Sequence, residues 1–515
     1  MKHTKTIMAA ALAAIAISSV QASTLYIGGS SAYRKTAADA LIGAGWSYVA
    51  NDGTGLTDNG GTHILYTKGS DYISTCWSGS EAGVQSILAT NSRPLSFWAT
   101  STAQGTLKAD FVGTNTVVTN ADASFSDCSA NISRYNGAKN VKEIIGGVAQ
   151  TVTYGKPATN VQVGVQSFTF LASDNFPTNK ATSISANAAR VLFEKGQIPL
   201  SLITGDSSDA TATVWLTGRN PDSGTRITAF NEVGYGALKA TQNYKVKAID
   251  TNTRTITELL LYPSNNINGL VTAPGDDGMT SGGDLVKSIA PLASNLVVYG
   301  PGTNKVISVA HTNFTATNIV TNPALGVSAT YLGSAVIPAA PADNVAYTIA
   351  VAGSATRKAT FNAKSYYIAT NSFTNAVPPV YLNIASKATN NISLPLTVPS
   401  TVNYLVTYAS VADALNKSTL ADKYPVLLSY NGNGVGGYTD YGTPTKNAVQ
   451  AKIQNGGYSF WNYEWALLSP NASAGASALL TTLTGVVSSA NAAPNANVSS
   501  LNVKRASDGA TIYNK

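Results

Sequence analysis

Short apolar runs that close on glycine and serine, each followed by residues at helical spacing, recur along the chain. TLYIGGS (24–30) reads as a strand, and residues 33–44 as the helix after it, carried by Ala37, Ala38, Ala40, Leu41 and Ile42. After WSGSEAG, Val84, Ile87 and Leu88 repeat at helical intervals. VQVGVQSFTFL (161–171) has the unbroken apolar character of a buried strand. ANAARVLFEKG is amphipathic, with Ser185 placed as its N-cap and Gly196 just past its end. TVWLTG (213–218) is a strand, and GRNPDSGTRITAF turns it into a further helix. Strand, polar glycine loop, helix is the pattern of α/β folds, which gather ligands at the carboxyl ends of their strands.

From 291 to 400 the pattern changes. The segment is rich in Thr, Val, Asn and Ala, alternates in short runs such as NLVVYG and NKVISVAHT, and contains several prolines. It predicts a β-rich insertion. VNYLVTYASVADAL (402–415) returns to the α/β style, and the tail from 485 onward, poor in large apolar residues, is expected to pack loosely.

Composition adds compartment and size. Residues 1–22 have a basic start, an apolar run and a small-x-small end at Val20-Gln21-Ala22, the pattern of a secretory signal. No later run reaches the length of a membrane helix, so an exported chain with no span is expected, in the periplasm, outside the cell or on its surface. A chain of 515 residues implies more than one domain. Only 11% of residues are charged, well under the usual ~25%. The net charge is +7, of which Lys2 and Lys5 of the leader supply two, leaving +5. With no Lys/Arg stripe, that balance excludes a nucleic-acid footprint. Cys76 and Cys128 form either one disulfide, which an exported chain allows, or two separate buried thiols.

Candidate chemistry favours binding over catalysis. After the leader only His63 and His311 occur, without metal-ligand spacing, and they read as ordinary surface or core residues. No nucleophile elbow and no GxxxxGK[ST] loop is present. With no visible nucleophile–base or metal set, no enzyme activity and no cofactor are expected. Three stretches instead place small residues at helix starts: GGSSAYRKTAADAL (28–41), WSGSEAGVQSIL (77–88) and GRNPDSGTRITAF (218–230). A helix N-terminus offers free N–H groups and partial positive charge to an anion, and Arg219 can add a planar charged fork. Plain helix capping by Asp222 or Ser223, with Arg219 in solvent, is the simpler alternative for the third stretch. The aromatic set Tyr458, Phe460, Trp461, Tyr463 and Trp465 reads as core and hinge packing or as a binding patch.

The order of these stretches resembles the periplasmic phosphate-binding proteins of ABC importers. GSEAGV matches the family's GSSGGV loop, ADASFSD its DFGASDAP segment, and R-x-x-x-S-G-T its RxDGSGT loop. The later stretches 273–289, 403–414 and 456–468 are similar to that family as well. By this resemblance the phosphate ligands are Ser80, Asp127, Arg219, Ser223, Gly224 and Thr225, with the first loop Ser31, Ala32 and Tyr33 adding backbone N–H groups. Asp127 then accepts a hydrogen bond from a protonated ligand oxygen, which hydrogenphosphate has and sulfate lacks. The resemblance also puts Cys76 and Cys128 near one cleft. Two departures stand out: Ala32 replaces the family's Thr, with Ser30 and Ser31 nearby as substitutes for its hydroxyl, and Pro221 stands where the family's arginine-orienting aspartate would be, with Asp222 one residue later.

The resemblance implies a two-lobed periplasmic-binding-protein-like α/β fold of type 2 with a β-rich insertion in the second lobe. Lobe 1 is 23–155 plus 425–515, and lobe 2 is 156–424 including 291–400. The implied function is binding of inorganic phosphate or a similar oxyanion for an ABC permease complex. The rival is a cell-surface or matrix protein that keeps the fold without transport, favoured by the sparse charge, the Asn/Thr-rich surface and the altered first loop.

Overall fold

The structure is a computed structural model. It describes residues 23–289 and 402–515, apart from 92, 146–147, 251–254, 264–268, 416–424, 435–442 and 490–492. Between 290 and 401 it describes only the backbone of nine short strands. The expected leader, 1–22, lies outside the described residues, as do His311 and most of the expected insertion.

The chain opens with β1 (Thr24–Gly29), α1 (Arg34–Gly43), β2 (Ser47–Asn51), β3 (His63–Lys68), β4 (Asp71–Cys76) and α2 (Ser80–Leu88). Then come β5 (Leu95–Trp98), β6 (Thr106–Leu107), β7 (Thr116–Thr119), β8 (Ala123–Ser126), β9 (Val141–Ile145) and β10 (Val148–Val152). The long β11 (Thr159–Ala172) leads to β12 (Ser183–Ile184), α3 (Ala186–Lys195), β13 (Gln197–Pro199), α4 (Ser201–Thr204), β14 (Thr213–Leu216) and α5 (Gly224–Glu232). A hairpin of β15 (Tyr244–Asp250) and β16 (Thr255–Leu261) precedes α6 (Gly282–Ile289), and β17 (Asn295–Tyr299) to β25 (Leu396–Thr397) follow. The chain closes with β26 (Asn403–Ser410), α7 (Val411–Ala414), β27 (Val426–Tyr430), α8 (Thr443–Gln454), β28 (Trp461–Leu468), α9 (Ala474–Ser488), β29 (Val503–Arg505) and β30 (Ile512–Asn514).

Helices start and stop where local chemistry directs them. Ser185 Oγ accepts from the Ala188 N–H at 3.1 Å to start α3, and Gly196 ends it in the left-handed region at φ +73°. Ser473 caps α9 in the same way, and Ala476, Leu479, Leu480, Leu483 and Val487 form its buried stripe.

One mixed α/β sheet of 13 strands runs through the molecule, in the order β13-β14-β26-β11-β28-β8-β1-β4-β3-β2-β6, with β27 and β12 joined through β11. Its first half comes from residues 24–126 together with β28 (461–468), and its second from 183–430. β11 belongs to both: Thr159–Ser167 pairs with β28, and Phe168–Ala172 pairs with β26. β4, β1 and β8 lie side by side and parallel, with Gly28 opposite Cys76 and Gly29 opposite Phe125. Their carboxyl ends therefore open at one edge.

The aromatic set is packing. Tyr458, Phe460, Trp461 and Tyr463 are buried and Trp465 is half-buried, with Phe460 5.1 Å from Phe170 and 5.6 Å from Phe168. The described tail does not pack loosely. Asn495 is buried and bonds to Gln166 at 2.9 Å and Thr36 at 3.2 Å, and Ala496 bridges to Val165. Arg505 is buried over the Trp461 ring and paired with Glu232 on α5 at 2.7 Å. Asp508 accepts from the Ser129 N–H at 2.6 Å. Paired polar side chains do here what large apolar ones do elsewhere, which explains why composition misread the segment. Among the described residues no helix is long and apolar enough to cross a membrane.

Candidate functional site

The parallel trio β4–β1–β8 delivers three loops to one edge: residues 30–33 before α1, 77–79 before α2, and Asp127 after β8. From the second half, β14 hands residues 217–223 to α5. The loops meet at Asp127. Its two carboxylate oxygens accept from the hydroxyls of Ser30 and, at 2.9 Å, Thr225. Its N–H donates to Ser80 Oγ at 3.1 Å. Its carbonyl accepts from Thr228 Oγ1 at 3.0 Å and Asn462 Nδ2 at 2.9 Å. Gly224 makes this approach feasible: a Cβ there would collide with the Ser80 side chain and stand 3.0 Å from Asp127 Cβ.

Most of the residues expected from the sequence thus come together. Ser80, Asp127, Thr225 and Gly224 are in mutual contact, and Ser223 caps α5 by accepting from the Arg226 N–H at 3.3 Å. In the first loop the hydroxyl comes from Ser30 rather than Ser31, and the Tyr33 N–H donates to it at 3.2 Å. Ala32 is buried beside it. The Tyr33 hydroxyl donates to the Val163 carbonyl at 3.1 Å, so its ring is a packing element.

Arg219 is 2% exposed and close enough to Asp127 and Asp413 to feel their charge. Its guanidinium is held by the carbonyls of Met279 (3.1 Å) and Thr280 (2.9 Å), and its N–H donates to the Tyr408 hydroxyl at 3.3 Å. Burial pulls its pKa below the ordinary value, against Asp413 and Asp127. The Asp222 carboxylate accepts from the Tyr135 hydroxyl at 2.6 Å, while its carbonyl accepts from the Glu81 N–H at 3.1 Å. Backbone carbonyls thus hold Arg219 where an aspartate was expected.

Sequence reasoning missed two acids. Glu464 on β28 is fully buried beside Asp127, and burial followed by the Asp127 charge pushes its pKa well up. Burial also raises Asp127, but hydrogen bonds and Arg219 oppose it. Of the pair, Glu464 is pushed the further up, because the Asp127 charge adds to its burial. Glu81, in the first turn of α2, is pushed up to about 7 by burial, although Ser133 Oγ (3.0 Å) and the Arg134 N–H (2.8 Å) bond to it. The alternation NYEWALL contained the signal for Glu464: its neighbours alternate in a strand, and Gly164 on β11 stands opposite it.

Cys76 and Cys128 form no disulfide. They are separate buried thiols in different surroundings, Cys76 at 3.4 Å from His63 and Cys128 at 3.4 Å from Ser126 Oγ. His63 is also not an isolated residue, since its Nδ1 lies 2.7 Å from Asp52 Oδ2. Among the described residues no cluster of three or more His, Cys, Asp or Glu is arranged to hold a metal ion.

No family model matches the chain, and no curated protein sequence does. Among solved structures it is similar to a protein from Clostridium perfringens assigned as a phosphate ABC transporter substrate-binding protein, determined by X-ray crystallography with phosphate bound. The match has 9% identity and a TM-score of 0.32, over 90% of this chain and 93% of that one. A likeness that loose carries no argument about the site, which stands on its own geometry.

Proposed function

We propose that the protein is an exported solute-binding protein that takes a small oxyanion carrying a proton, inorganic phosphate first among them, between the loops that meet at Asp127. The observation that supports this is the convergence on one buried residue, Asp127, of the loop before α1 and the first turns of α2 and α5: Ser30 and Thr225 bond to its carboxylate, Ser80 Oγ accepts from its N–H, and Arg219 is close by. Hydroxyls and helix N-termini are the donors an oxyanion needs. A buried carboxylate among them rejects an anion with no proton to give. Binding requires Ser30 and Thr225 to turn from Asp127 to the solute. Supply to an ABC permease is the role such binding would serve.

A second reading has its own support. The loops of the two halves already bond to each other directly, Glu81 N–H to the Asp222 carbonyl and Thr225 to Asp127, and the tail touches both halves. That arrangement suits a permanently closed protein of a surface layer. Equilibrium dialysis with labelled phosphate separates the two. Saturable binding at micromolar phosphate, not displaced by sulfate, supports the first. No binding, or equal competition by sulfate, refutes it and leaves the second.

A further inference from the structure

Away from the Asp127 site, three side chains are strung in a line. β3 and β4 form a hairpin whose two-residue turn, Gly69-Ser70, sets Lys68 opposite Asp71 and His63 opposite Cys76. His63 Nε2 lies 3.4 Å from Cys76 Sγ, and Nδ1 lies 2.7 Å from Asp52 Oδ2. The other Asp52 oxygen accepts from the N–H groups of Thr62 (2.7 Å) and His63 (2.9 Å), so the carboxylate is fixed. Phe111 stacks on the imidazole at 4.3 Å, and Trp98 Nε1 donates to the His63 carbonyl at 2.9 Å. Nucleophile, base and the group that orients the base therefore stand in the order that activated thiols require.

We propose that Cys76 is a reactive thiol, served by His63 as base and by Asp52 as positioning residue, and that its reagents are small hydroperoxides. Two observations select that class. The N–H groups after the sulfur are engaged, Trp77 with the Thr62 carbonyl and Ser78 with the Cys76 carbonyl, both at 2.9 Å, so neither is free to hold an acyl oxyanion. Cys76 is 4% exposed, which admits only small molecules. Burial works against a charged His63, but its hydrogen bonds to Asp52 and Cys76 outweigh this and hold its pKa up at about 9, so an imidazolium is stable there at neutral pH.

The step balances. The Cys76 proton passes to His63 Nε2, and the sulfur attacks the hydroxyl oxygen of the hydroperoxide. An S–O bond forms as the O–O bond breaks. Sulfur loses two electrons, the peroxide gains them, and the departing alkoxide or hydroxide takes the proton from His63. The products are a Cys76 sulfenic acid and an alcohol or water. Cys128 provides an internal contrast. Burial, and then the neighbouring Glu81 carboxylate, push its thiol well up, and among the described residues no imidazole bonds to it.

The test treats the whole protein with hydrogen peroxide plus a sulfenic-acid trap, and separately with iodoacetamide, then maps both cysteines by mass. Cys76 is expected to react at least about tenfold faster than Cys128. Its alkylation rate should stay nearly flat from pH 8 to 6, where an ordinary thiol slows about tenfold per unit. The charged and titratable groups acting on His63 are Asp52 and Cys76, and the ring stacked on it, Phe111, carries no charge. Asp52→Asn should restore the ordinary pH slope and so slow Cys76 at pH 6 about a hundredfold, leaving Cys128 unchanged. His63→Gln should do the same, with circular dichroism confirming the fold. Equal rates for the two cysteines, or an ordinary pH slope for Cys76 in the wild type, overturn the proposal.

Discussion

Glu81 offers a test of the buried electrostatics whose size follows from the structure. Its carboxyl is fully buried where α2 meets the Asp222 carbonyl, and burial lifts its pKa from 4.5 to about 7. The folded protein therefore holds this proton over a range in which the unfolded chain has released it. The stabilisation is complete below pH 4.5 and disappears as pH rises through 7. A lift of about 2.5 units at ~1.4 kcal/mol per unit is about 3 kcal/mol. Glu81→Gln cannot ionise, and its amide oxygen still accepts from Ser133 or the Arg134 N–H, so its cost in lost hydrogen bonding, about 1 kcal/mol, is independent of pH. Urea unfolding of both proteins from pH 4.5 to 8 gives the difference. The variant should gain about 3 kcal/mol on the wild type across that range, whatever its offset at pH 4.5. A constant difference would refute the burial argument, and with it the same argument for Glu464.

Other expectations concern the site and the tail. Arg219→Ala leaves Asp127 and Asp413 without their buried cation and should weaken phosphate binding by about 30-fold or more, seen in dialysis. Gly224→Ala puts a methyl group into Ser80 and Asp127, so it should lower unfolding stability by about 1–3 kcal/mol and abolish phosphate binding. Arg505→Met strips Glu232 of its buried partner and should cost about 3–5 kcal/mol in urea unfolding, more than any single tail apolar substitution.

The parts legible in the sequence were those coded locally. Ser185 and Gly196 bracket α3 because capping is decided within four residues, and Ser223 starts α5 for the same reason. The meeting of Ser80, Asp127, Gly224 and Thr225 was visible only through the order of their loops. What escaped was set by strand pairing. Glu464 reaches Asp127 because β28 lies between β8 and β11, and the Tyr135–Asp222 bond spans 87 residues. His63 and Cys76 were readable in principle. Counting outward from the Gly69-Ser70 turn places them opposite each other, but a histidine judged singly hides its cross-strand neighbour.

The tail fastens both halves of the molecule at once. Within a few residues Arg505 grips Glu232 and Asp508 takes the Ser129 N–H, while the Asn231 side chain donates to the Asp508 carbonyl. Parting the loops at Asp127 therefore cannot be a free hinge swing, because the same movement would have to tear out a buried ion pair and its neighbours. On the proposed function, solute exchange would be an escape problem, timed by the release of residues 503–514. A variant with that latch weakened should trade slow residence for fast turnover without any change in the groups that touch the solute.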